Sequence, residues 1–452
     1  MHGLIPEKLK TLALSLEKPL YLVGGACRDY LANLTVTSDD RDLCAPVAAE
    51  EVCAAAKRAG FDVSAVYKNT GTVLMHADGD DYEFTSFRTD KYVRGKHSPA
   101  EVFFTEDILS DARRRDFKCN AVYYDIAADK FVDPLGGMED IEKKRMTTVV
   151  DAKKVFGEDG LRLMRLCRIA AQTGFTPTAE CIEGARENCA LIDDIAAERI
   201  WAELNAILNA DLKYNVSGAQ YKGLQLLRDT GVLARILPEL ALGENMEQRK
   251  DFHDYDVLEH TLRCVLYAPP GIRLAALLHD AGKPYCKINS GRYARHEEKG
   301  AEIAENICKR LRAPAKVTER TRELVRWHMY DLSGGASENK VRKFIVNHLA
   351  ILDDLLLLKQ ADYSACKDDL SVAPCVKKWK GIIENMQKEG APFTLKQLDV
   401  RGDELIAAGI SPGETAKTLK MLLGECAIGN VKNEKQSLVK YALARRGEMK
   451  SE

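Results

Sequence analysis

The stretch YLVGGACRDYLANLTVTSDDRDLCAP (Tyr21–Pro46) decides the fold. An apolar run meets two glycines, a helical stretch follows, and a second strand then carries Asp40 and Asp42. In a strand, residues i and i+2 point to one face, so the two carboxylates share a side and Arg41 faces the other way. Two carboxylates a few ångströms apart stay ionised cheaply only with a cation between them. A hard divalent ion held by carboxylates and substrate phosphates, most often Mg²⁺, resolves that conflict. Gly24 and Gly25 let backbone N–H groups approach a phosphate at a helix N-terminus, which favours anions. Arg28, one turn in, either touches a phosphate or pairs with an acid. Glycine pairs are common turns and D-x-D is common on surfaces. Their joint occurrence in one strand–turn–helix–strand unit is far more specific.

Working outward, 452 residues predict two to four domains, and 46% hydrophobic with 30% charged residues is a globular balance. No window nears the roughly 18 apolar residues of a membrane span. The opening MHGLIPEKLKTLALSLEKPLYLVGG contains acids and a proline and no secretory cleavage pattern, so a cytoplasmic protein without a membrane partner is expected. A net charge of −2 argues against nonspecific coating of nucleic acid but leaves room for local basic patches such as Ala112–Lys118 (ARRRDFK). The 13 cysteines are scattered and form no CxxC pair, so they read as small buried hydrophobes rather than zinc or disulfide ligands.

From Pro19 to about Val150 helical and strand patterns alternate: LYLVG, RDLCA, FDVSAVYK, GTVLMHA and DYEFTSF as strands, AEEVCAAAKRAG as a helix closed by Gly60, then NAVYYDI and KFVDP as a pair. After Asp151 strand signals nearly vanish. EDGLRLMRLCRIAAQTG predicts one continuous helix with a glycine stop, and helical patterns fill the rest.

The motif LVGGACRD…DRD resembles the opening of the class II tRNA nucleotidyltransferases and bacterial poly(A) polymerases, in the DNA polymerase β-like nucleotidyltransferase superfamily. Further blocks follow in family order over residues 19–205: EFTSFR with Glu83, RRRDFKCNA (Arg113–Ala121), DPLGGMEDI (Asp133–Ile141), EDGLRLMRLCR (Glu158–Arg168) and the structural AERIWAEL (Ala197–Leu204). Departures are Lys118 and Cys119 for Thr and Ile, Asn33 for a common Gly, and Arg41 within D-x-D. The resemblance implies that Asp40 and Asp42 are catalytic and hold Mg²⁺. It implies a nucleotide site of Gly24, Gly25, Arg28, Arg114, Asp116, Asn120, Asp159, Arg162, Arg165 and Arg168. In-line attack of an RNA 3′-hydroxyl on the α-phosphorus of CTP or ATP would follow. Arg88–Val102 lies where the family has a flexible loop.

Asp159 and Arg162, three apart on the expected helix, would share a face. A carboxylate accepts and a guanidinium donates. Cytosine and adenine each offer an amino donor beside a ring-nitrogen acceptor, and guanine and uracil do not. Side by side, the pair fits C and A. The plainer reading is an i,i+3 surface salt bridge. Arg165 and Arg168 hold triphosphate or acceptor RNA, or brace the helix.

Further on, His260, His279–Asp280 and Asp362 follow the H…HD…D order that resembles the HD phosphohydrolase superfamily, with Lys283, His296 and His328 at positions that line such sites. The resemblance implies a divalent ion (Mg, Mn, Ni or Co) and hydrolysis of 2′,3′-cyclic or 2′-phosphates, or else a retained scaffold.

The expected fold class is α+β multidomain: a mixed-sheet nucleotidyltransferase head (1–150), a helical neck (151–212), a helical body or linker (213–250), an HD domain (251–368) and a helical tail contacting tRNA (369–452). The expected function is templateless addition of CCA to tRNA from CTP and ATP. Alternatives are A-only or CC-only addition, poly(A) polymerisation, and an HD phosphohydrolase with an RNA-binding head. Oligomeric state is open.

Overall fold

The protein's structure, a computed structural model, describes residues 1, 5–35, 41–97 and 99–445. It divides into two compact units, Met1–Ala241 with Arg310–Arg312, and Leu242–Lys309 with Ala313–Glu452. The expected 213–250 segment is thereby split between them.

The first unit opens with helix α1 (Glu7–Leu14), strand β1 (Tyr21–Val23), helix α2 (Gly25–Leu31), strand β2 (Asp42–Ala45) and helix α3 (Ala49–Arg58). A meander follows: β3 (Asp62–Tyr67), β4 (Thr72–Ala77) and β5 (Asp80–Ser86). Its second turn is Asp78–Gly79, both at positive φ, the twist-matched two-residue hairpin turn that such a pair favours. The hairpin β6 (Arg88–Lys91) and β7 (Glu101–Phe104) comes next, then helix α4 (Ile108–Arg113), β8 (Tyr123–Asp125), β9 (Lys130–Val132) and helix α5 (Gly137–Glu142). Among the described residues seven strands form one mixed sheet in the order β3-β4-β5-β2-β1-β8-β9, with only β2 and β5 parallel. Val23, Cys44, Phe87, Ala112, Ala121, Tyr123 and Val155 make a buried cluster, within which Tyr21, Phe87 and Tyr123 meet ring against ring.

The DPLGGMEDI block is structural. Both Asp133 carboxylate oxygens accept from the first turn of α5, from the N–H groups of Gly137 and Met138 at 2.8 Å each. A β-carbon at Gly137 would sit 2.1 Å from the Lys118 carbonyl oxygen, so only glycine fits there. Asp140 in turn takes Arg145 Nη2 at 2.7 Å.

The rest of the unit is helical: α6 (Ala152–Glu158), α7 (Leu161–Thr173), α8 (Ala179–Asn188), α9 (Ala197–Leu208), and α10 to α13 (Ala210–Tyr214, Ala219–Asp229, Val232–Ile236, Pro238–Ala241). The expected single helix over Glu158–Thr173 is therefore two. Asp159 lies between them at φ −139°, ψ 111°, in extended conformation. Gly160 explains the break: a β-carbon there would meet the Leu191 carbonyl oxygen at 2.4 Å, so the chain turns where it is pressed against a neighbouring segment. Gly174, at φ +74°, closes α7 as expected.

The second unit is helical throughout its described residues: α14 (Val257–Tyr267), α15 (Arg273–Leu278), α16 (Gly282–Ser290), α17 (His296–Arg310), α18 (Ala315–Trp327), α19 (Glu338–Asn347), α20 (Leu352–Lys367), α21 (Pro374–Lys388), α22 (Gly402–Ala407), α23 (Thr415–Ala427) and α24 (Lys435–Ala444). Fully buried Lys359 on α20 donates to the carbonyls of His328 and Tyr330, at 2.6 and 2.7 Å, pinning the chain just past α18. Among the described residues no helix is long and apolar enough to cross a membrane, and all 13 cysteines are free thiols.

Candidate functional site

All ten residues expected at a nucleotide site, Gly24, Gly25, Arg28, Arg114, Asp116, Asn120, Asp159, Arg162, Arg165 and Arg168, line one cavity of about 290 Å³ in the first unit, together with Asp42. Residues that sequence reasoning did not single out are there too: Tyr92, His97, Arg115, Ile169 and Lys213. Seven cationic side chains face three carboxylates, a balance suited to a polyanion.

At the sheet end, Gly24 takes φ +81°, ψ −137°, which other residues reach only under strain. A β-carbon on it would stand 3.1 Å from Asp42 Oδ2, so glycine lets the strand-to-helix turn close over that carboxylate. Asp42 is exposed at the start of β2 and the next three residues are buried, so it stands at a strand mouth and not inside the sheet. Its ladder partner on β5 is Glu83, also exposed. Asp40 lies outside the described residues. Arg41 turns away as expected, donating to Asp80 at 2.7 Å and to the Tyr82 hydroxyl at 2.9 Å.

Arg28 resolves toward pairing. It is buried, bound to Asp29 at 2.6 Å, to Asn120 Oδ1 at 2.7 Å and to the Tyr214 hydroxyl at 3.2 Å. Asn120 donates onward to Asp116 at 3.1 Å, and Asp116 receives Arg165 at 2.6 Å. Burial raises the Asp116 pKa, but Arg165, the Asn120 amide and Arg162 together outweigh it and hold the carboxyl down at about 2. Arg168 is braced by Glu203 on α9 at 2.6 Å. Arg114 is held by Asp111 at 2.7 Å. Asp111 also accepts from Arg115 and Tyr123, and its pKa too falls to about 2: burial raises it, Arg115 and Arg114 outweigh that.

Asp159 and Arg162 face the same cavity, but not as helix neighbours. Asp159 Oδ1 accepts the Leu161 N–H at 2.9 Å, and Oδ2 bonds His97 Nδ1 at 2.9 Å. Arg162 makes its ion pair with Glu158 at 2.8 Å, donates to the carbonyls of Val155 and Arg114, and lies over the Tyr92 ring. Both residues are 5% exposed, which excludes the surface salt bridge. Three of the five guanidinium N–H groups are engaged, leaving two donors on a residue that lines the same cavity as the Asp159 carboxylate.

The second unit brings its expected residues together as well. His260 on α14, His279 and Asp280 between α15 and α16, and Asp362 on α20 are all buried, with His260 Nε2 3.1 Å from Asp362 and 3.3 Å from His279 Nε2. His279 Nε2 is 3.2 Å from Asp280 Oδ2. The other Asp280 oxygen, Oδ1, points to His296 Nε2 at 3.2 Å and His328 Nε2 at 3.8 Å. Among the described residues three sets have metal-ligand spacing, His260–His279–Asp362, Asp280–His296–His328 and His253–His260–Cys366.

The tautomers argue for cations. Nδ1 of His279, His296 and His328 is bonded to the carbonyls of Ala276, Tyr293 and Val325, at 2.8, 2.8 and 2.6 Å. In the neutral ring each then turns an Nε2 lone pair towards the carboxylates. Burial, with His279 and His296 alongside, pushes His328 down to about 3, so it stays neutral. Both Asp280 oxygens are buried without a hydrogen-bond partner, though Lys283 Nζ approaches one at 2.7 Å as an ion pair. Acceptors converging on acceptors is costly unless a cation sits between them: burial lowers the His279 pKa but the neighbouring carboxylates raise it well above the ordinary value, and a divalent ion would replace that proton, so the donor set fits a metal centre. A cavity of about 540 Å³ reaches Asp280, Lys283, His296 and Asp362 past Phe252, Met329 and Tyr363.

Three family models match the chain: the poly A polymerase head domain over residues 20–147, the probable RNA and SrmB-binding site of polymerase A over 174–242, and the HD domain over 257–365. A CCA-adding enzyme of Geobacillus sp. (strain WCH70) is 34% identical over 239 residues, 53% of this chain and 55% of that one. Multifunctional CCA proteins of Chromobacterium violaceum and Neisseria gonorrhoeae are 32% and 33% identical. They cover 65% and 68% of this chain, and 70% and 73% of their own length. Among solved structures, the Bacillus stearothermophilus CCA-adding enzyme in complex with CTP aligns with TM-score 0.67 at 22% identity, covering 99% of both chains. The Thermotoga maritima CCA-adding enzyme complexed with tRNA aligns with TM-score 0.61 at 15% identity, covering 97% and 94%. These two likenesses concern the fold.

Proposed function

The chain belongs to the family of CCA-adding tRNA nucleotidyltransferases and bacterial poly(A) polymerases that carry an HD domain, and on that premise we propose that it adds CCA to tRNA 3′ ends from CTP and ATP without a template. One observation carries this reading: a single cavity joins a glycine turn and an acidic strand mouth to a paired acceptor and donor, Asp159 and Arg162. The triphosphate lies along Gly24, Gly25 and the arginines, while Asp159 accepts from the amino group of C or A and Arg162 donates to the adjacent ring nitrogen. Guanine and uracil present the opposite polarity, and a mismatched buried polar site discriminates by orders of magnitude.

Asp42, with Asp40 and with Glu83 across the ladder, would hold Mg²⁺. The chemistry such an ion would supply is activation of the attacking 3′-hydroxyl and neutralisation of the leaving pyrophosphate. Arg165 and Arg168, fixed by Asp116 and Glu203, keep the arginine wall in place.

The test supplies tRNA lacking CCA, CA or A with labelled CTP and ATP and sizes the products. Completion of all three supports CCA addition. Extension only of tRNA ending in CC makes it an A-adding enzyme, extension by two residues a CC-adding one, and long A tails a poly(A) polymerase. No extension leaves the second unit as the active one.

A second activity is favoured by the convergent Nε2 lone pairs around Asp280: metal-dependent hydrolysis of 2′,3′-cyclic or 2′-phosphates. His260, His279, Asp280 and Asp362 would hold one divalent ion, and Asp280, His296 and His328 a second. Lys283, whose Nζ also reaches Gln248 at 2.7 Å, would meet the phosphate. Release of phosphate from such an end, lost on chelation, is the measurement.

A further inference from the structure

The segment between β6 and β7 is fastened to the break that carries Asp159. The Gly95 N–H donates to the Gly157 carbonyl at 3.0 Å, and the Gly160 N–H donates back to the Gly95 carbonyl at 3.3 Å. Gly95 sits at φ +78°, where a β-carbon would meet Leu191 at 3.0 Å, so the approach needs glycine. The clasp sets two side chains against the two base-reading residues: the Tyr92 ring beneath Arg162, and His97 on Asp159.

His97 is bonded at both ring nitrogens. Nδ1 lies 2.9 Å from Asp159 Oδ2, and Nε2 lies 2.8 Å from Nη1 of Arg199 on α9. A guanidinium has no acceptor, so Nε2 must supply the lone pair. The ring proton is then on Nδ1, and it is donated to Asp159. A doubly protonated ring would set two donors against each other at Arg199.

We propose that His97 is a positioning residue for base selection: Arg199 fixes its tautomer, and its Nδ1–H holds Asp159 as a pure acceptor turned toward the cavity. The Leu161 N–H holds the other oxygen, so both ends of the carboxylate are fixed before a nucleotide arrives. A carboxylate has about four lone-pair sites. Two are used here, and the base amino group takes a third without displacing His97. The role rests on the reading of Asp159 as the base acceptor. A carboxylate with one end freed rotates or takes a proton more readily, and either change relaxes the rejection of bases that present a carbonyl.

Two measurements on the full chain test this. The first compares kcat/KM for CTP and UTP on tRNA lacking CCA in the wild type, His97→Ala, His97→Gln and Asp159→Ala. His97→Ala is expected to lower the CTP-to-UTP ratio roughly tenfold, mainly through KM for CTP. His97→Gln, whose amide can donate to Asp159 and accept from Arg199, is expected to recover most of it. A His97→Ala ratio equal to wild type overturns the role if Asp159→Ala collapses the ratio. If Asp159→Ala leaves it unchanged, the base-reading assignment falls and this inference with it. The second, needing no activity, reads the His97 tautomer by ¹⁵N NMR, assigned by its absence in His97→Gln. The Nδ1–H form is expected in the wild type and its loss in Arg199→Ala. The Nε2–H form in the wild type overturns the proposal.

Discussion

Asp116 Oδ2 receives both Nε and Nη2 of Arg165, at 2.8 and 2.6 Å, tying the RRRD turn to the middle of α7. Through this pair the sheet-borne wall of the cavity and its helical wall are fixed to each other within the first unit. Because Asp116 is 6% exposed, the pair is energetically consequential rather than decorative.

Its pH signature has a definite sign. The folded carboxyl is lowered from 3.8 to about 2, burial raising it and Arg165, Asn120 and Arg162 together outweighing that. A lowered folded pKa stabilises the fold fully above the unfolded value and ceases to do so as pH falls through about 4 towards 2. The contribution is about 2 kcal/mol. Urea titrations between pH 6 and 3 should show Asp116→Asn losing less stability on acidification than the wild type. Equal slopes would contradict it.

Gly24→Ala should damage addition far more than folding. The backbone at φ +81° costs an alanine about 1–3 kcal/mol, and the new methyl would press on Asp42 at 3.1 Å. A melting shift of a few degrees with addition reduced by on the order of 10²-fold is expected. A variant that melts lower but extends tRNA normally would show that the close approach has no catalytic use.

Asp42→Asn should leave the melting temperature within about a degree, since the side chain is exposed, and surface changes rarely exceed ~0.5 kcal/mol. Nucleotide addition should fall on the order of 10²–10³-fold, with HD-unit hydrolysis intact. Loss of both activities together would point to misfolding.

Metal content separates the two donor sets around Asp280. Elemental analysis of the purified chain, compared with His328→Ala and Asp280→Asn, should show one divalent ion fewer in the first variant and a larger loss in the second, because Asp280 belongs to the set with His296 and His328 and its other oxygen lies 3.2 Å from His279 Nε2 of the neighbouring set. Unchanged content in both variants would leave the cluster a buried polar core.

Much of this was legible in the chain. The spacing of GG, RRRD and E-D-x-x-R, with Asp42 of D-x-D, marked residues that tertiary structure then gathers into one cavity. The order H…HD…D did the same for the helical unit. Asp159 was misplaced on a helix because Glu158–Thr173 has unbroken helical periodicity. Gly160 was the available signal, and its reason, pressure from Leu191, is a contact 31 residues away. Tyr92, His97 and Lys213 escaped notice since no local pattern encodes which distant groups they meet. Arg28 was left open between phosphate and acid, and burial beside Asp29 explains its choice.

The proposed function requires one cavity to read the base at Asp159 and Arg162 while the strand mouth at Asp42 handles the phosphates. A crystal of the full chain soaked with CTP and Mg²⁺ tests it most directly. The cytosine amino group is expected on the Asp159 carboxylate, the ring nitrogen on Arg162, and the triphosphate running past Gly24 and Gly25 to an ion on Asp42. A CTP whose base touches neither Asp159 nor Arg162, or whose phosphates lie away from Asp42, would contradict it.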